Sequence, residues 1–184
     1  RRLIHLISTL LDLSKMEAGM MEYKIVPTDL KRVAESSVSK VQLLADAKHV
    51  QILNDIPRDR VLVLADAARI EQVFENLQSN AVKFSPEGAV VKMHMEPDKK
   101  AGSLCVSVSD TGPGISREDL PRIFERFYQG RRQGKNALAS TGLGLALAKK
   151  VVEAHKGRIW IESEVGKGTT VRFVLPGSRP GVAA

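Results

Sequence analysis

"VSVSDTGPGI", residues Val106–Ile115, is an apolar alternation that stops on an acid and then bends through glycine, proline and glycine. Read as a strand, it puts Leu104, Val106, Val108 and Asp110 on one face and Cys105, Ser107 and Ser109 on the other. The acid therefore sides with the apolar residues, where an unpaired charge is expensive unless something hydrogen-bonds to it. Gly112 and Gly114 allow close backbone approach or positive φ, and Pro113 stiffens the turn between them. A strand-end Asp-Thr-Gly also occurs in aspartic proteases, but those are essentially all-β, whereas three long helices are legible here. A plain turn and a ligand-facing carboxylate remain, and other segments decide between them.

Upstream, "EQVFENLQSNAVKFSP" (71–86) reads as a helix capped by Asp66 and ended by Pro86-Glu87-Gly88. Asn76 and Asn80 are four residues apart, so both amides share one face, and Lys83 follows on the same side. Asparagine is a mediocre helix former. Two of them beside the stripe of Val73, Leu77 and Phe84 are either solvated amides or ligands for a hard cation such as Mg²⁺, completed by substrate phosphates. Downstream, "STGLGLALAKK" (140–150) sets Thr141-Gly142-Leu143-Gly144 at a helix start, where free N–H groups and the dipole favour anions. Neither a P-loop nor a dinucleotide fingerprint is present; "GKGTT" near Thr169 is only superficially similar.

The rest of the chain alternates helix and strand. "RRLIHLISTLLDLSKMEAG" carries Leu3, Leu6, Leu10 and Leu13 in one seam and Ile4, Ile7 and Leu11 in a second, more than one partner helix covers, which points to a bundle or dimer. A short strand, a Thr28 or Asp29 cap and a helix with Leu30, Val33, Val41 and Leu44 inward come next. "VQILNDIP" and "RVLVLAD" read as a pair of strands, and "AVVKMHMEP" and "GSLCVSVSD" as another. Short helices are expected around "REDLPRIFERF", then a mobile loop after Tyr128, then the helix closed by Gly157 and the strands "RIWIES" and "TTVRFVLP". The expected fold is an α/β (α+β) two-layer sandwich: a mixed sheet with helices on one face and a lid, plus an N-terminal helical segment.

Composition narrows the classes. A chain of 184 residues with 43% hydrophobic and 27% charged residues suits one globular domain with an appendage. Beginning at Arg1 inside a helical pattern, it reads as a piece of something longer. No apolar run approaches a membrane span, and no signal-peptide pattern opens it. The single Cys105 suits a reducing, cytoplasmic compartment. The net charge of +7 favours anionic ligands, while 4% aromatic residues and no recognition-helix pattern argue against nucleic acid.

In order, "NLQSNAVKFSP", "DTGPGI", "IFERFYQG" and "STGLGLALAKKVVEAHKG" resemble the N, G1, F and G2 boxes of sensor histidine kinases, members of the GHKL group of ATP-binding domains with gyrase and MutL. "LLDLSKMEAG" resembles the end of their dimerisation hairpin, which divides the chain into 1–20 (hairpin end), 21–177 (catalytic ATP-binding domain) and a 178–184 tail. The resemblance implies ATP and Mg²⁺ as cofactors. Asp110 would accept from the adenine amino group, helped by Thr169; Gly112, Gly114 and Ile115 would line the base, with Phe84 nearby. Asn80 and Asn76 would hold Mg²⁺, with Lys83 beside the phosphates. Thr141, Gly142, Leu143, Gly144 and Leu145 would meet the phosphates at the helix start. Phe124 and Phe127 would anchor the lid, and Arg126 would reach phosphate or the acceptor helix. Implied partners are the histidine-bearing hairpin of the parent chain, as a homodimer, and a response regulator receiver domain; contact with membrane or nucleic acid is not implied.

The acceptor separates kinases from ATPases in this group. The ATPases place a glutamate base one helical turn before the metal asparagine, where this chain has Asn76, which cannot take a proton. Glu75 is about 100° out of phase on the helix. Transfer to a protein histidine is thus favoured, with a GHKL ATPase, a serine kinase or a non-catalytic module as alternatives. His5, His49, His94 and His155 all lack the acidic neighbour of the family's phosphorylated histidine, so the acceptor is expected outside this chain. Two departures stand out: Gln78 replaces the usual leucine, and Ser140 replaces a glycine at the lid hinge.

Overall fold

The computed structural model describes residues 2–57, 59, 61–99, 102–130 and 141–177. Helix α1 (Arg2–Glu17) is followed by β1 (Val26–Asp29), α2 (Leu30–Asp46), β2 (Gln51–Asp55), β3 (Leu62–Ala65), α3 (Ala67–Phe84), β4 (Val90–Pro97) and β5 (Ser103–Asp110). A single 3-10 turn (Leu120–Arg122), α4 (Gly144–Ala154), β6 (Arg158–Glu164) and β7 (Gly168–Pro176) complete it. Five strands form a sheet in the order β2-β4-β5-β7-β6, mixed because β2 runs parallel to β4 while the other pairs are antiparallel. The two-layer α/β fold expected from the sequence is the fold observed.

The core lies where α2, α3 and α4 cover one face of that sheet. Val91, Met93 and Met95 of β4, Val106 and Val108 of β5, and Val171, Phe173 and Leu175 of β7 are buried against Ile70, Phe74 and Leu77 of α3 and Leu147 and Val151 of α4. At its centre the Phe74 and Phe173 rings meet edge to face at 5.5 Å. Gln78, fully buried, donates to Ser37 Oγ (3.0 Å) and so joins α2 to α3 with a polar pair where a leucine would bring only contact area. Asp66 caps α3 as expected, accepting from the Arg69 N–H at 3.2 Å.

Several expected elements differ. The segments "VQILNDIP" and "RVLVLAD" do not pair with each other: β2 is an edge strand beside β4, whereas β3 pairs antiparallel with β1. Both satisfy the same apolar pattern, and the choice of partner depends on tertiary packing. Leu44 is 37% exposed, because the inward face of α2 is set by Leu30, Val33, Ala34, Ser37, Val41 and Ala45. Asp29 occupies the cap position without a side-chain cap bond, and Thr28 instead donates to the Ala65 carbonyl across the β1–β3 pair (2.8 Å). The helices expected around "REDLPRIFERF" reduce to the one 3-10 turn. The lid loop beyond Gly130, Ser140 and the 178–184 tail lie outside the described residues.

Helix α1 packs through one of its two seams. Leu13 is fully buried, and Leu6, Leu10 and Met16 lie against the core, while Ile4 (70%), Ile7 and Leu11 (56%) remain exposed. Asp12 pairs with Arg69 at 2.8 Å, and Glu17 pairs with Arg126. The chain leaving α1 is pinned to the start of α3: Lys24 N–H donates to Asp66 Oδ2 (3.0 Å), and the Tyr23 ring stands edge-on to His155.

The burial of Phe173 against Phe74 gives a stability prediction. Phe173→Ala should cost about 3–5 kcal/mol through lost transfer energy and a residual cavity. Urea unfolding followed by circular dichroism measures it, and a loss below about 1 kcal/mol would show that the ring pair is not the centre of the core.

Candidate functional site

The site begins where β5 runs out. Asp110 Oδ1 accepts the Gly112 N–H at 2.8 Å and the Thr169 N–H at 3.3 Å. Burial pushes its carboxyl above the ordinary carboxylate range, and these two N–H groups work against that rise. The carboxylate is thus fastened through one oxygen by backbone on both sides of the strand end. Oδ2 has no protein partner among the described residues. Thr169 assists by its backbone N–H, since its hydroxyl is engaged with Ser163 Oγ at 2.9 Å.

The glycines are explained first by protein contacts. A Cβ on Gly112 would stand 2.8 Å from both Asp110 Oδ1 and the Phe84 carbonyl oxygen, so only glycine lets the turn close onto the end of α3. Gly114 has φ +71, and a Cβ there would run into the Glu164 backbone. The turn is then fixed to the β6–β7 hairpin by Ile115 N–H to Ser163 Oγ (2.9 Å) and Gly166 N–H to the Pro113 carbonyl (2.8 Å). Ser163 was not singled out in the sequence, where it is one serine in an ordinary strand; only its position across from Thr169 makes it a connector.

Asn76, Asn80 and Lys83 lie half-buried along α3, whose last residue, Phe84, touches the turn. A Cβ on Gly144, the first residue of α4, would lie 3.1 Å from Asn76 Oδ1, so the second glycine-rich turn backs onto the asparagine face. The end of β5 thus lies against the end of α3 through Gly112, and the start of α4 lies against α3 through Gly144 and Asn76. Asn76 Nδ2 is buried without a hydrogen-bond partner among the described residues, and the Asn80 side-chain amide also has none there. No group of three or more His, Cys, Asp or Glu side chains is gathered to hold a metal among the described residues. An amide oxygen is a fitting ligand for a hard cation that completes its shell elsewhere, and a turn of the Asn76 amide would present its oxygen in place of the orphaned nitrogen.

The remaining expected residues divide between the start of α4 and the stretch that leads up to Gly130. Leu143 is fully buried and anchors the turn, its N–H facing the Thr141 hydroxyl at 3.4 Å; Leu145 is half-buried against the core. Gly142 carbonyl accepts the Phe127 N–H at 2.9 Å, bringing together the two ends of the segment that leaves at Gly130 and returns at Thr141. In the stretch that leads up to Gly130, Ile123 and Asp119 are buried, with Asp119 accepting from the Tyr128 hydroxyl at 2.6 Å. Phe124 is half-buried with the Lys149 ammonium 5.6 Å from its ring, and Phe127 is exposed and acts through its backbone. Arg126 pairs with Glu17 on the side of a cleft of about 290 Å³ between α1 and α4, whose lining does not include Asp110.

The sequence profile of the histidine kinase-, DNA gyrase B- and HSP90-like ATPases matches residues 65–179. The chain belongs to that family. Within it the resemblance runs to sensor histidine kinases: it is 36% identical over 175 residues to the sensor histidine kinase WalK of Bacillus subtilis (strain 168), covering 95% of this chain and 28% of that protein. It is 40% identical over 178 residues to the non-motile and phage-resistance protein of Caulobacter vibrioides, covering 96% of this chain and 21% of that one. Full-length ShkA, crystallised in complex with AMPPNP, superposes with a TM-score of 0.82 at 28% identity over 95% of this chain and 36% of its own. The chain thus spans less than a third of either curated relative.

The Asp110 environment carries a pH prediction. A carboxyl held above its unfolded value adds stability that is complete below the ordinary carboxylate range and is lost as pH rises through the native value. Asp110→Asn keeps an oxygen for Gly112 and Thr169 and removes the buried charge. Its melting temperature should therefore match or exceed wild type near neutral pH, with the difference shrinking in acid. A variant that melts well below wild type at neutral pH would show that the charge stabilises the turn.

Proposed function

We propose that this chain is the Mg–ATP-binding catalytic part of a cytoplasmic sensor histidine kinase and passes the γ-phosphoryl group to a histidine carried outside the chain. The observation that supports the reading is the proximity of the Asp110 turn to the end of α3 and of the α4 start to Asn76 on that same helix. Asp110 Oδ2, left open while Oδ1 is fastened, would accept from the adenine amino group. Asn80 and Asn76 would hold Mg²⁺, which when bound supplies charge neutralisation at the triphosphate oxygens. Lys83 and the N–H groups from Gly142 to Leu145 would face the phosphates. In the transfer, a histidine ring nitrogen forms the new P–N bond while the electron pair of the breaking P–O bond leaves with ADP.

Hydrolysis is disfavoured because Asn76 occupies the place of the base and cannot accept a proton. Two of the described histidines are poor acceptors. His155 is buried, its Nδ1 bonded to the Val151 carbonyl (2.7 Å) and its Nε2 accepting from the Asp66 N–H (2.9 Å). His94 Nδ1 is engaged by Asp55 at 2.9 Å on the far face of the sheet. The exposed row of Ile4, Ile7 and Leu11 on α1 supports residues 1–20 as part of a dimeric hairpin, with 21–177 as the catalytic domain. The Arg126–Glu17 pair favours contact with that hairpin over contact with phosphate as the role of Arg126. A response regulator receiver domain is the onward acceptor implied for such a kinase. No helix among the described residues is long and apolar enough to cross a membrane.

Mg–ATP titration tests the pocket. Wild type should be stabilised by nucleotide, by about 2.7 kcal/mol at ~100 times the dissociation constant. Asn80→Ala and Asp110→Ala should each weaken binding about tenfold or more, equivalent to roughly 1.4 kcal/mol. With labelled ATP, phosphohistidine should form on a separately supplied hairpin and not on this polypeptide. Nucleotide that leaves wild-type melting unchanged would overturn the reading in favour of a non-catalytic module, and steady phosphate release without an acceptor would favour an ATPase.

A further inference from the structure

Lys48 is absent from every motif discussed above. It sits in the turn after α2, and its ammonium donates to three carbonyls: Val82 (3.1 Å), Lys83 (2.5 Å) and Ser85 (2.5 Å). These belong to the last turn of α3, whose carbonyls have no intrahelical donors. Pro86 supplies no N–H to the Val82 carbonyl, and Ser85 caps the helix in extended conformation, so the usual left-handed closure is missing. A cation at the negative end of the helix dipole is favourable there. The lysine's own turn is secured by Gly88 N–H to the Lys48 carbonyl (3.4 Å) and Gln51 N–H to the Ala89 carbonyl (2.9 Å).

The carbonyls that Lys48 gathers surround that of Phe84, the one against which Gly112 packs. Gly112 in turn donates to Asp110 Oδ1. An uninterrupted sequence of contacts therefore runs from the ammonium through the end of α3 to the strand-end carboxylate. We propose that Lys48 is a positioning residue for the base end of the nucleotide site, holding the end of α3 where Phe84 and Gly112 set the direction of Asp110. This rests on the ATP-binding reading above. It meets the phosphate end only at the Lys83 backbone carbonyl and bonds no side chain there, so its loss should weaken all adenine nucleotides alike.

Lys40 provides the comparison. It also joins α2 to α3, through Glu71 (2.7 Å) and Glu75 (2.6 Å), but far from the helix end. Lys48→Met should raise the dissociation constants of Mg–ADP and Mg–ATP by the same factor, about tenfold, in protein that circular dichroism shows to be folded. Lys40→Met should change neither by more than about twofold. In nucleotide-free protein, Lys48→Met should speed amide hydrogen exchange at 82–85 and 111–115 while leaving the central strands protected. Wild-type affinity in Lys48→Met, an equal loss in Lys40→Met, or exchange that rises uniformly would overturn the assignment. If wild type itself binds no nucleotide, the ATP reading fails instead, and the exchange pattern still decides whether Lys48 holds the turn.

Discussion

Everything at the functional end of the molecule depends on a backbone-to-backbone closure around one carboxylate oxygen. Asp110 ends the central strand, and its Oδ1 is shared by N–H groups from the turn that follows it and from the neighbouring strand β7. Because Gly112 has no side chain, the turn also rests on the carbonyl that ends α3. A charge with its back fastened in this way has one defined free oxygen. Removing it from water costs energy and pushes its carboxyl upward, and the directed oxygen is what that cost maintains.

Helix α3 ties the layers together. Its inner stripe supplies Ile70, Phe74 and Leu77 to the core, its flank presents Asn76 and Asn80, and its end supports the glycine turn. Its start receives the chain from α1 through Asp66 and Arg69. One rigid element thus connects the helical segment, the core and the glycine turn. A shift along its axis would be felt at the asparagines and at Gly112 together, which makes the caps at its two ends as consequential as the residues on its flank.

The strength of the sequence reading varied with the range of the interactions involved. The Asp66 cap, the asparagine face and the strand ending at Asp110 depend on neighbours within a few residues, and all appear in the structure as read. Pairing of β2 with β4 and of β1 with β3 depends on partners tens of residues away, and there the same apolar pattern allowed a wrong match. Leu44 fits a helical stripe yet is exposed, because the face of α2 turned to the core runs through Leu30, Val33, Ala34, Ser37, Val41 and Ala45. Phe124 and Phe127 were read as the apolar residues of their stretch, yet Phe127 is exposed, while Ile123 and Asp119 beside them are buried.

By itself the sequence determined the periodicities, the caps and the order of four chemically unusual segments, because these are local consequences of side-chain spacing. It therefore determined the fold class and the family. Only the tertiary structure decided that Thr169 serves through its N–H, that Ser163 links the turn to the β6–β7 hairpin, and that Lys48 closes α3. Those roles belong to ordinary serine, threonine and lysine residues whose partners are remote in the chain. A hydrogen bond between distant segments leaves no spacing to read; it exists only once folding has brought its donor and acceptor within about 3 Å.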